Sequence, residues 1–260
     1  KAFFVNPGDV DQTLRMDRLP PGVAMIRGRG VHEGVAENMR QKRHTYCDMP
    51  AEQIVECAVK SFDSTYRGEG VLLNEEEKSR GQKIVVAEAR DHLVQGTRFH
   101  AKTQAPDYQP VLVEEAFEIE TGGDRNISGR LDLADDAGRI VDFKTAARRK
   151  SQDDADTSVQ LTIYSAAHKL IKGRPATGVR LDTVIVQKTK VDRQVLESER
   201  TVHDYEAVAR RVNTLVASSE AGHFPPAPPG AWWCSPKWCG YYNSCPYTSA
   251  GHKTFQEFQA

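Results

Sequence analysis

Gly129-Arg130-Leu131-Asp132-Leu133, followed by Ile140-Val141-Asp142-Phe143-Lys144-Thr145, is the stretch whose reading decides the fold. It sets two carboxylates ten residues apart, with a lysine two positions past the second. Between them lies the turn cluster Asp135-Asp136-Ala137-Gly138, so the segment predicts a hairpin. Side chains alternate along a strand, which puts Asp142 and Lys144 on one face. Mg²⁺ and Mn²⁺ favour hard oxygen ligands, and such a metal acidifies a bound water and stabilises charge on phosphorus. Asp132 and Asp142 are therefore candidate ligands. Lys144 would orient or deprotonate an attacking water, or stabilise developing charge. The chemistry that fits is phosphodiester hydrolysis. On spacing alone, a surface hairpin with ordinary charges accounts for the pattern equally well, since 27% of the chain is charged.

Working outward, residues 1–24 read as irregular, with turn signals at Asn6-Pro7-Gly8 and Leu19-Pro20-Pro21-Gly22. Helices are predicted over Arg27–Lys42, Ala51–Tyr66 and Glu75–Gln95, the first with Val31, Val35 and Met39 as its apolar stripe. Strands follow at Val111–Ile119, Ile127–Ala134 and Arg139–Thr145, and Glu115 or Glu118 on the first could bring a further acid to the site. A helix over Ser158–Ile171, a buried strand at Leu181–Gln187, an antiparallel edge strand at Arg193–Val202 and a helix over His203–Glu220 complete the pattern.

The 260 residues can bury a full core without disulfides. Net charge is −1, from 35 basic and 36 acidic residues, so any nucleic-acid contact must come from local patches. Arg148-Arg149-Lys150 is one such patch, and Lys188 with Lys190 another, although charge runs are commonly solvated surface. No apolar run approaches the ~20 residues of a membrane span. Lys1-Ala2-Phe3-Phe4-Val5 is too short for a signal sequence, and a cytoplasmic location is expected.

Four motifs stand in order: Gly28-Arg29-Gly30-Val31-His32, Gly129-Arg130-Leu131-Asp132, Asp142-Phe143-Lys144-Thr145 and Gln160-Leu161-Thr162-Ile163-Tyr164. The ordered set resembles the PD-(D/E)XK nuclease superfamily, specifically its RecB-like exonuclease branch, which includes AddB-type, CRISPR-associated and phage members. Each motif alone is weak, and the set spans roughly residues 28–245. The resemblance implies an α/β fold with a restriction-endonuclease-like core in the order α-β-β-β-α-β. To that core are added a helical N-terminal insertion and a C-terminal Cys-containing segment. One nuclease domain over 1–260 is expected: mainly helical over 25–110, the catalytic α/β core over 111–220, and a Pro-rich, Cys-containing part over 221–260. The resemblance makes His32, Asp132 and Asp142 ligands of Mg²⁺ or Mn²⁺ and Lys144 the catalytic lysine. Gln160 and Tyr164, on one helix face, would position the scissile strand or the water. Taken singly, His32 reads as a solvated helix histidine and Gln160 and Tyr164 as an ordinary helix stripe.

Three of five cysteines cluster at Cys234, Cys239 and Cys245, behind the Pro-rich run Phe224–Gly230. Soft thiolates at short spacing bind zinc or iron–sulfur clusters. Similar RecB-like nucleases join three such cysteines to one N-terminal cysteine around a [4Fe–4S] cluster. Here no cysteine precedes His32; Cys47 is the candidate fourth ligand, and Cys57 reads as packing. A cluster with an unusual ligand, an incomplete site, a zinc and a small aromatic plug all remain open, with disulfides a weaker fit to an odd count.

The expected activity is metal-dependent hydrolysis of DNA, exonucleolytic and favouring single-stranded or end-frayed substrate. The competing readings are a catalytically silent DNA-binding or assembly module, which predicts a damaged constellation, and a phosphodiesterase acting on RNA or small molecules. Polarity of digestion, oligomeric state and any helicase or recombinase partner are not encoded in these motifs.

Overall fold

The computed structural model describes residues 19–120, 126–223, 226–245 and 247–249. The turn expected at Asn6-Pro7-Gly8, the opening Lys1–Val5, and Phe224 and Pro225 of the Pro-rich run lie outside the described residues.

Four helices come first: α1 (Val23–Thr45), α2 (Ala51–Glu69), α3 (Glu75–Arg80) and α4 (Gln82–Thr103). The single helix expected over Glu75–Gln95 is thus two. Asn74 starts α3 with a capping box to Glu77, and Gly81, at φ 87°, ends it in a backbone conformation that side chains disfavour. α1 and α2 pack closely because Gly34 carries no side chain. A Cβ there would stand 2.7 Å from the Ile54 carbonyl oxygen and 2.9 Å from the Ala58 Cβ.

The sheet contains β1 (Pro110–Glu120), β2 (Asn126–Asp135), β3 (Arg139–Ala146), β4 (Gly178–Val186) and β5 (Val191–Ser198), in that spatial order. β1, β2 and β3 pair antiparallel, β3 and β4 parallel, and β4 and β5 antiparallel. The hairpin between β2 and β3 forms as expected. The Asp135 carboxylate accepts from both the backbone N–H and the side chain of Arg139. A parallel pair needs a crossover, and α5 (Gln152–Asp156) and α6 (Val159–Lys172) supply it. Ser158 caps α6 by accepting from Leu161 N, and Gly173 ends it. The edge strand lies earlier than expected: β5 stops at Ser198, and Thr201 instead forms the capping box of α7 (Val202–Glu220).

Two apolar cores flank the sheet. On one face, Val113, Leu133, Val141 and Phe143 pack against Val31, Val35 and Met39 of α1, with Phe62 and Leu93 from α2 and α4. On the other, Leu131, Ala134, Ile140 and Leu181 pack against Leu161, Tyr164 and Ala167 of α6. Residues 131–135 of β2 are accordingly buried without a break. The expected sequence of helix, three strands, helix and strand is present.

A buried carboxylate ties the helical layer to the sheet. Asp182 on β4 accepts from Gln104 Nε2 (2.6 Å), Tyr108 OH (2.6 Å) and Arg193 Nη2 (2.6 Å). A buried charge is tolerated only when paired and hydrogen-bonded in this way.

Candidate metal centre and catalytic cleft

The β2–β3 ladder ends at the pair Leu133–Val141, and Asp132 and Asp142 are the next residues on the two strands. The site forms where these strands part. α1 brings His32 from the helical layer and α6 brings Gln160 and Tyr164 from the other face.

His32 places each ring nitrogen against a carboxylate. Nε2 lies 2.7 Å from Asp132 Oδ2 and Nδ1 lies 3.0 Å from Glu114 Oε1. Burial works against charge on this ring, but the bonds and charges of Asp132 and Glu114 outweigh it and raise its pKa to about 10. Burial likewise opposes the Asp132 charge, and His32 outweighs it, so Asp132 is held below the usual carboxylate range. Asp142 goes the other way. Burial, then the neighbouring Asp132 charge, pushes it up to about 7. Two carboxyl groups pressed together out of water hold a proton between them unless a cation relieves the repulsion.

Lys144 Nζ lies 2.9 Å from Asp142 Oδ1, an ion pair set off the angle of a hydrogen bond, so that this oxygen is buried without a hydrogen-bond partner. Lys144 also donates to Gln160 Oε1 at 3.2 Å. Gln160 Nε2 donates to Tyr164 OH at 2.8 Å, and Tyr164 OH donates to Asp132 Oδ1 at 3.0 Å. Lys144, Gln160, Tyr164, Asp132 and Asp142 thus form a polar ring, open only between the neighbouring Asp132 and Asp142 carboxylates. Burial, then the charge of Asp132, raises the Tyr164 pKa, which keeps its hydroxyl a donor. Its ring also packs edge-on against Phe117, so Tyr164 both packs and bonds.

Glu114 is the residue that motif reading missed. Glu115 or Glu118 was the acid that β1 could bring to the site, with decoration of the strand face the commoner reading; Glu118 accepts from Asn126, and it is Glu114 that meets His32. The flanking pairs Val113–Leu133 and Glu115–Leu131 put position 114 across from position 132. The backbone at Glu114 is left-handed, φ 48°, which is uncommon for a residue with a side chain. The sequence carries no signal that singles Glu114 out from Glu115, because that choice follows from strand register.

His32, Glu114 and Asp132 are the group of three such ligands whose donor atoms converge among the described residues, all within 4.8 Å of one another. Asp142 stands beside them, near enough to Asp132 for that charge to raise its pKa. One nitrogen and several carboxylate oxygens form a donor set that fits Mg²⁺ or Mn²⁺. The raised pKa of Asp142 shows that these groups crowd negative charge. His32, Glu114 and Lys144 line one cleft of about 670 Å³, walled also by Gly28 and by Ser61 and Thr65 of α2.

A family model for the PD-(D/E)XK nuclease superfamily matches residues 11–246. The chain belongs to the PD-(D/E)XK nuclease superfamily. Its members generally use Mg²⁺ or Mn²⁺, and its fold implies a nucleic-acid substrate. Among solved structures, a protein from Eubacterium rectale provisionally named an exonuclease shares 14% identity, with 88% of this chain and 91% of that one covered at a TM-score of 0.40. The protein SSO0001 shares 17% identity over 66% of this chain and 79% of its own, at a TM-score of 0.35. Both likenesses are distant. No curated protein matches the sequence significantly.

Within this PD-(D/E)XK chain, other expected positions fall away from the cleft ligands. Arg149 pairs with Asp192 at 2.7 Å and Lys150 with Asp154 at 3.5 Å, so two of the three basic side chains after β3 already hold an anion, and Arg148 is exposed. All five cysteines are free thiols. Cys234, Cys239 and Cys245 share one series of backbone turns. Cys47 does not join them. Lys237 Cε lies 3.6 Å from the Cβ position of Gly22, at the start of α1, whereas Cys47 follows the far end of that helix. The 23 residues of α1 separate these ends by roughly 34 Å. The fourth ligand expected at Cys47 thus lies at the other end of α1 from Lys237. No helix among the described residues is long and apolar enough to cross a membrane.

Proposed function

We propose that this nuclease is a metal-dependent DNA exonuclease of the RecB-like type, acting as one domain over 1–260. The single observation that carries the reading is the run of contacts that links Asp142 through Lys144, Gln160 and Tyr164 to Asp132, beside His32. His32, Glu114, Asp132 and Asp142 would hold Mg²⁺ or Mn²⁺, which supplies a water of lowered pKa and offsets charge on the phosphoryl oxygens. Lys144, 40% exposed, reaches from the ring into the cleft. There its ammonium donates a hydrogen bond to the attacking water or to a non-bridging phosphate oxygen. Gln160 and Asp142 hold that ammonium in place, and Tyr164 fixes the Asp132 carboxylate. Water attacks phosphorus, the bond to the 3′ oxygen breaks, and a proton passes to that leaving oxygen, giving a 5′-phosphate and a 3′-hydroxyl.

The exonuclease assignment and the preference for single-stranded or frayed DNA rest on resemblance to the RecB-like branch. On the same basis Cys234, Cys239 and Cys245 would supply three thiolates to an iron–sulfur site, which iron content and brown colour would reveal. The deciding experiment is digestion of end-labelled single- and double-stranded DNA and RNA with Mg²⁺ or Mn²⁺, comparing wild type with Asp142→Ala. Metal-dependent loss of label that vanishes in the variant is expected. A folded, metal-replete wild type that cuts neither nucleic acid would leave the silent-module reading in its place.

A further inference from the structure

The C-terminal turns carry three tryptophans in contact with one another and with water. Trp232 is 66% exposed, Trp233 48% and Trp238 46%. Trp232 meets Trp233 with ring centroids 5.6 Å apart and Trp238 at 5.4 Å, both edge-on. Lys237 Nζ stands 5.7 Å from the Trp238 ring centre, and among the described residues it has no ion pair. Isolated exposed apolar residues are ordinary, but a contiguous aromatic patch marks an interaction surface. Exposed indole rings with an ammonium over one of them suit a flat ring attached to an anion, the ring for the indoles and the anion for the ammonium.

Its position names the occupant. Lys237 packs at Gly22, and one turn along α1 Met25 lines the catalytic cleft. From Gly22 to His32, ten residues of helix cover ~15 Å, roughly four nucleotide steps at 3.4 Å each. Lys237, at the edge of the patch, thus packs at the start of the helix whose later turns carry Met25, Gly28 and His32 into the cleft. The chain has a net charge of −1 and pairs two of the three basic side chains after β3 internally, so phosphate attraction alone gives it little grip. Stacking on bases supplies affinity that charge does not, and bases are available for stacking only in an unpaired strand.

We infer that Trp232, Trp233 and Trp238, with Lys237, form a stacking platform that holds an unpaired DNA strand at the mouth of the cleft. The inference rests on the nuclease reading above and adds to it a binding surface separate from the metal ligands. The platform selects single-stranded over paired substrate and sets how many nucleotides must be free before the scissile bond reaches Lys144.

The test is titration of the full chain, in EDTA to stop cleavage, with fluorescein-labelled oligothymidylate and with a blunt hairpin duplex. Anisotropy and tryptophan emission are followed together. Saturable quenching of tryptophan emission by the single strand, and not by the duplex, is expected. Trp232→Ala and Trp238→Ala should each weaken single-strand binding on the order of tenfold, the size of one lost base stack. Trp232→Phe should restore most of it, at unchanged thermal midpoints. Wild type that digests DNA but shows no quenching overturns the platform while leaving the nuclease intact. Unaltered affinity in the folded alanine variants overturns it equally. Quenching without digestion supports the platform and removes the catalytic reading instead.

Discussion

Glu114 shows how one residue's backbone decides the composition of the metal site. Its left-handed φ turns a β1 side chain toward His32, and its carboxylate completes a group with His32 and Asp132. Such strained positions cluster at functional sites, where the surroundings hold them. Glu114→Gln keeps the shape and removes the charge. The expected result is a rise in the Mn²⁺ concentration needed for half-maximal cleavage by roughly 10- to 100-fold, the range seen when groups supporting a metal are lost. Cleavage measured across a Mn²⁺ series checks this, and an unchanged requirement would remove Glu114 from the site. Lys144, Asp132, Asp142, Gln160 and Tyr164 were all legible beforehand because each belongs to a short motif at fixed spacing. Glu114 was not, because its role depends on strand register.

At the level of elements, the approach of α1 to α2 fixes where His32 enters the cleft. The glycines on α1 serve different ends. A Cβ on Gly34 meets backbone and side-chain atoms of α2 at under 3 Å, whereas one on Gly28 meets nothing within 4 Å. Gly34→Val should therefore overpack the helix pair and cost about 1–3 kcal/mol. Gly28→Ala should be neutral or stabilising by up to about 1 kcal/mol, since alanine is the better helix former. Chemical denaturation of the two variants beside wild type separates these outcomes; equal stability of all three would contradict the close packing. The break at Gly81 and the early end of β5 were not legible from periodicity. Gly81 interrupts an otherwise continuous polar pattern, and Thr201 chose the helix cap over the strand.

For the whole molecule, a neutral histidine buried between sheet and helices contributes a loss of stability in acid. His100 is buried beside Gln104 and Phe143, and its Nε2 has no partner. Burial pushes its pKa down to about 4 from an ordinary value of 6.5. Below pH 6.5 the unfolded chain takes up a proton that the folded chain refuses, so stability falls with pH until about 4 and then levels. His100→Gln should flatten that limb. Urea midpoints of wild type and variant, compared near neutrality and near pH ~5, should differ in slope; parallel falls would place the acid sensitivity elsewhere. The Asp182 network with Gln104, Tyr108 and Arg193 lies in the same layer, and none of its members carries a motif.

The sequence by itself determined the order of helices and strands, the α/β class, the family and five residues that the structure brings together at the candidate site. Apolar periodicity and short motif spacing are local properties, written within a few residues of each other. Tertiary structure alone decided that Glu114 meets the candidate ligands His32 and Asp132, that Cys47 lies at the opposite end of α1 from Lys237 and the three clustered cysteines, and that Lys237 packs at the start of α1. Those facts depend on register between strands and on contacts between elements tens to hundreds of residues apart, where no local spacing records the distance.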